Sequence, residues 1–157
     1  MTLAHDLYAE TNPAFCAYIL AKFCAGHQKK SGTAAELAVC YLTLPIVLSD
    51  DLSETFAHTN GATGLSTWLD RNPQVRVGLA ERVNLTLQFT TEAVRFGCLS
   101  NLLRLDAGGR ILCGSLRARK SSFSAIGQAE SKAERLGQWF DSAGSSRAVM
   151  SSFGVTA

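Results

Sequence analysis

The sequence predicts a mainly α-helical single domain that carries one small β-hairpin. Three observations lead there. Apolar residues recur at helical spacing through most of the chain. Two short apolar runs flank a Gly-Gly pair near residue 108. A chain of 157 residues, 46% of them hydrophobic, supplies enough apolar surface for one core. The expected organisation is one domain over residues 1–157, with a helical core at 11–101, a hairpin at 102–114, a basic connector at 115–124 and a C-terminal helical segment at 125–157.

Asn12-Pro13 reads as a helix start, because Asn can accept from free amides and Pro suits the first helical position. Phe15, Ile19, Leu20 and Phe23 then give an amphipathic helix over 13–27, closed by the polar run to Gly32. Thr33 and Glu36 have the spacing of a capping box. They precede a run from Leu37 to Leu48 that is apolar on nearly every face, which predicts a central helix kinked at Pro45. Asp51 and Glu54 suggest a further cap ahead of a short helical piece ending near Phe56. Residues 58–64 read as a loop and 65–70 as a short helix. Asn72-Pro73 repeats the start signal before Val75, Leu79, Val83 and Leu87, and Thr90 or Thr91 is expected to cap another helix bearing Val94, Gly97 and Cys98. The hairpin follows, with Ala107-Gly108-Gly109 as its turn, and a helix running into a hairpin is the layout of a winged helix. A final long helix from about residue 125 places Ala129, Ala133, Leu136, Gly137 and Phe140 on one face and stops at Gly144.

The composition excludes several function classes. Charged residues make up 18% of the chain, below the ~25% usual for soluble domains, which points to apolar surface covered by another protein. No apolar run has the length of a membrane span, and the first ten residues lack the pattern of a secretory signal, so the expected compartment is the cytoplasm. The five cysteines, Cys16, Cys24, Cys40, Cys98 and Cys113, form no CxxC pair and read as small core hydrophobes. His5, His27 and His58 fall in loops or near segment ends, and helix capping accounts for Asp50-Asp51. With no phosphate-binding loop, dinucleotide fingerprint, zinc motif or nucleophile elbow, no enzyme activity, catalytic residue, cofactor or metal is expected.

Two surfaces remain as candidates. Arg104, Arg110, Arg117, Arg119 and Lys120 cluster on and beside the hairpin against one acid, Asp106, and could contact DNA phosphates by charge alone. Pro45, Leu136, Trp139 and Phe140 are the expected partner interface, because large side chains sit on two faces of the last helix and Trp is a favoured anchor.

Six stretches occur in a telling order. They are Asn12-Pro13-Ala14-Phe15, the run 42–48 around Pro45, Trp68-Leu69-Asp70-Arg71-Asn72-Pro73, the run 75–82, Thr91-Glu92-Ala93 with Phe96-Gly97 and the hairpin, and Lys132 to Phe140 with Phe153-Gly154-Val155. Together they resemble the middle component of bacterial three-component ABC-ATPase systems, among them Lamassu-type anti-phage defence. The resemblance spans residues 11–155, and the cysteine content is high for the family's pattern. It implies a non-catalytic accessory subunit beside an ATPase of the SMC or Rad50 type and an effector such as a nuclease, coupling DNA sensing to effector release. The alternative is a free-standing winged-helix transcription regulator.

Overall fold

Asn12 opens the first helix of the computed structural model, which describes residues 12–115 and 124–155, the side chains of 124–127 apart. Helix α1 (Pro13–Ser31) begins as the sequence indicates: Asn12 Oδ1 accepts from the amides of Ala14 (3.0 Å) and Phe15 (3.3 Å). It ends at Ser31, four residues past the expected 27, and is capped by Gly32, whose φ of 73° is a left-handed conformation that glycine adopts without strain.

The next segment departs from expectation. Instead of one kinked helix there are a short strand β1 (Ala35–Glu36), helix α2 (Leu37–Cys40) and helix α3 (Thr43–Val47). Pro45 has no amide to offer the Tyr41 carbonyl, so the helix is interrupted at Tyr41–Leu42. Pro45 then sits in the first turn of α3, where amides have no intrahelical partner in any case. The Thr33–Glu36 capping box does not form, because Ala35 and Glu36 are extended and paired with the hairpin. The Thr33 carbonyl instead faces His27 Nδ1 at 2.7 Å.

A 3-10 stretch (Asp50–Phe56), helix α4 (Leu65–Arg71) and a 3-10 turn (Pro73–Arg76) lead to the longest helix, α5 (Leu79–Leu99). Asn72-Pro73 opens only the 3-10 turn; α5 itself starts after Gly78. Nor do Thr90 and Thr91 begin a new helix. Both lie inside α5, and Thr91 Oγ1 donates to the Leu87 carbonyl four residues back (3.0 Å), which lets a threonine sit mid-helix.

Strands β2 (Leu103–Leu105) and β3 (Arg110–Cys113) form the expected hairpin, with Leu103 opposite Cys113 and Leu105 opposite Ile111. Asp106 Oδ1 shapes the turn by accepting from the amides of Gly108 (2.8 Å) and Arg110 (2.9 Å). The free edge of β3 takes β1, giving an antiparallel sheet of order β1-β3-β2. Helix α6 (Ser124–Ala143) stops at Gly144, and α7 (Ser146–Ser152) follows under a Ser145 cap.

The core forms where α1 crosses α6. At the crossing both helices carry glycine. A Cβ on Gly26 would lie 2.0 Å from the Glu134 carbonyl oxygen, and one on Gly137 would lie 2.1 Å from that of Phe23. The two backbones touch directly. An aromatic group forms another part of the core: Trp139 stacks on Phe56 (centroids 5.8 Å apart, planes 5° apart) and lies 5.1 Å from Trp68. Both indole N–H groups are satisfied, Trp68 by the Thr55 carbonyl and Trp139 by that of Asn60.

Candidate partner interface

The four residues expected at an interface lie inside the molecule. Pro45 is enclosed in α3, and Leu136, Trp139 and Phe140 are core residues. Phe140 packs edge-on against Phe23 (5.4 Å) and Phe153 (5.9 Å). The large groups on two faces of α6 do contact both sides, but both sides are this chain: α1 on one, and the layer holding Phe56 and Trp68 on the other. That expectation is corrected, because a side chain closed in by its own fold offers no surface to a second protein.

The basic edge is only partly in view. Arg104 is exposed on β2. Arg110 is half-buried and already engaged: its Nη1 donates to the Ala34 carbonyl (2.9 Å), and its Nη2 lies 3.9 Å from Glu36. It fastens β3 to β1 and has less freedom to meet a phosphate than its sequence position implies. Arg117, Arg119 and Lys120 lie outside the described residues.

Arg110 also lines a cleft of about 330 Å³ with His27, Glu36 and Asp141. Its polar groups are tied to neighbours. Ser31 Oγ donates to Asp141 (2.7 Å), Ser146 Oγ donates to Glu36 (2.6 Å), and His27 Nδ1 meets Thr33. These bonds join α1, β1, α6 and α7. Three cysteines, Cys16, Cys24 and Cys40, are buried, while Cys98 and Cys113 are half-buried. A hydrogen bond with Cys40, reinforced by burial, pushes the Cys24 thiol well above its ordinary range, and burial raises Cys113. Protonated thiols are poor nucleophiles. No group of three or more His, Cys, Asp or Glu side chains suited to a metal ion occurs among the described residues.

The conspicuous surface is the outer flank of α5. The buried side of this helix, Leu79, Thr90, Ala93, Val94 and Gly97, faces inward, with α1 its principal neighbour. Turned away from it are Leu85 (70% exposed), Phe96 (39%) and Leu99 (87%), with half-buried Phe89 and Glu92 between them. Leu85, Phe89, Glu92, Phe96 and Leu99 follow at steps of four, three, four and three residues, so they share one face. The sequence carried this signal, but dividing the helix at Thr90-Thr91 hid it.

The N-terminal half of α5 is held by one ion pair. Arg82 Nη1 and Nη2 donate to the two Asp51 oxygens (3.0 and 2.5 Å), and Nη1 also reaches Ser49 Oγ. The Arg82 hydrogen bonds, with one from Ser49, hold the Asp51 carboxyl far below the usual carboxylate range.

A family model described as ABC-three component (ABC-3C) system Middle Component 3 matches residues 2–157. The chain belongs to this family. The match covers the entire helical domain, including α5 and the hairpin, so this middle component carries its exposed flank within the family's shared region and not on an appended segment. No curated protein and no solved structure gives a significant match. No described helix of the middle component is long and apolar enough to cross a membrane.

Proposed function

We propose that this middle component is a non-catalytic accessory subunit that docks on the other components of its system and shifts which arrangement of them is populated. Family membership supports partnership, and one structural observation carries the docking: an apolar flank of α5 left in water beside a core that is otherwise closed. Mass action then suffices as mechanism, since a subunit that binds one arrangement better than another favours it by that difference. Co-expression with the other two components and co-purification test the reading. A stable ternary complex is expected. A middle component that elutes alone under all conditions refutes it.

In the finer reading, the neighbours are an SMC- or Rad50-type ATPase and an effector such as a nuclease, as in Lamassu-type defence, and the hairpin side touches DNA. Arg104, Arg117, Arg119 and Lys120 are the proposed phosphate contacts, with Arg110 a lesser one because Ala34 and Glu36 already engage it. Reversing Arg117, Arg119 and Lys120 to Glu is expected to weaken the complex on DNA most at low salt. Unchanged binding there removes DNA from the role.

The strand order β1-β3-β2, with β1 between α1 and the later helices, favours a second reading as a winged-helix regulator. Against it stands the outer face of α5, where Leu85, Phe96 and Leu99 occupy positions that base reading gives to polar side chains. A homodimer that binds a palindromic duplex by itself would favour the regulator.

A further inference from the structure

We infer that the outer flank of α5 seats an amphipathic helix from another component of the system, one with apolar residues at heptad spacing and a lysine or arginine facing Glu92. This deepens the accessory-subunit reading and rests on it.

The argument starts from the period. Leu85, Phe89, Glu92, Phe96 and Leu99 alternate four- and three-residue steps, the a/d spacing by which helices pack along their length. The stripe runs about 21 Å, roughly two heptads. It is distinct from the face that α5 gives to its own core, so the helix has two seams, and among the described residues the fold fills one. Leu85 opens the stripe one turn after the helix's own anchor at Arg82, with the half-buried Phe89 next, and the Arg82–Asp51 pair holds that end of the helix on the body. The seam is therefore presented on a fixed element.

Charge identifies the occupant. Glu92 is the middle residue of the stripe, and Gln88 Nε2 donates to its Oε1 (3.2 Å), holding the carboxylate beside the seam. A second copy of this chain is a poor fit. Antiparallel two-fold pairing sets Leu85 against Leu99 and Phe89 against Phe96, but it brings Glu92 onto the Glu92 of the other copy, and in-register parallel pairing does the same. Two carboxylates meeting in a desolvated seam repel. A cation at that position turns the defect into a hydrogen-bonded ion pair. Size points the same way. A stable interface takes about 20–30 residues a side, and two heptads supply far fewer. The seam thus fits one contact within a larger assembly better than a self-sufficient dimer.

The test uses the full chain co-expressed with the other components of its system. A photo-crosslinking amino acid is placed at position 85 or 99, and crosslinked peptides are mapped by mass spectrometry. Crosslinks from both positions into one helix of another component, with a basic residue opposite Glu92, are expected. Leu85→Gln with Leu99→Gln is expected to weaken the complex at least tenfold while leaving the melting temperature of the free subunit unchanged, since both side chains are exposed. Glu92→Lys is expected to weaken it similarly, and reversing the facing cation to Glu should restore binding. Crosslinks joining two copies of this chain, or reaching its own residues 1–11, overturn the proposal. So does a complex that forms with no crosslink and tolerates the double variant, although the accessory-subunit reading then survives. If no complex forms at all, that reading fails and takes this one with it.

Discussion

Gly26 and Gly137 set the distance between the two central helices. Alanine is the better helix former by about 1 kcal/mol, so a glycine on each side of one crossing works against local propensity. Packing decides the sign: a methyl at position 26 would stand 2.0 Å from a backbone oxygen that cannot rotate away. Gly26→Ala is therefore expected to destabilise the chain by a net ~1–3 kcal/mol, read as a lower midpoint in urea unfolding. A neutral or stabilising result would mean that the helices separate freely. The cysteines give a second check. In the folded chain at most Cys98 and Cys113 of the five thiols should react with a thiol reagent, and all five should react after denaturation. A fast-reacting Cys16, Cys24 or Cys40 would contradict their enclosure. The small-hydrophobe reading of the sequence fits those three better than the half-buried pair.

Helix α5 is the element on which sequence and structure differ most usefully. A threonine pair preceding a new apolar run looks like a cap, yet hydroxyls that bond back along the helix make the same residues compatible with its interior. Thr33 and Glu36 mislead in the opposite direction, because a strand partner some 75 residues onward claims the backbone of Ala35 and Glu36. Tertiary pairing overrides a local pattern in one case, and in the other the local pattern has two solutions. By contrast, Asn12-Pro13, the Gly-Gly turn and Gly144 were legible because each acts through its own backbone conformation. The anchor of α5 predicts a pH dependence. Asp51 has a folded pKa below its unfolded value of ~3.9, so its contribution is complete above about pH 5 and is lost as acid protonates the folded carboxyl. Asp51 is largely exposed, which limits the pair to about 1 kcal/mol or less. Asp51→Asn should thus lower the melting temperature slightly at pH 7, and the difference from wild type should shrink as the pH falls below the unfolded pKa and close only in strong acid. A difference that persists in strong acid would show that Asp51 acts by something other than its charge.

For the molecule as a whole, the fold class and the family could be read before the coordinates, whereas the interface could not. Trp139, Leu136 and Phe140 were selected for size, and size marks a core as well as it marks a contact. Burial separates the two, and burial depends on which helices meet, as α6 meets α1 at Lys29 and Glu134, residues 105 positions apart. The low charge content has a counterpart in the exposed Leu85 and Leu99 of α5, whereas the four residues chosen from the sequence, Pro45 on α3 and Leu136, Trp139 and Phe140 on α6, are buried.

The bare-backbone notch between α1 and α6 bears on how the chain is made. While it emerges from the ribosome, α1 must wait for a helix encoded over a hundred codons later, about 10 s at ordinary synthesis rates. Until then Phe23 and its neighbours have nowhere to hide. Nascent or prematurely terminated chains lacking α6 should accordingly be sticky and short-lived.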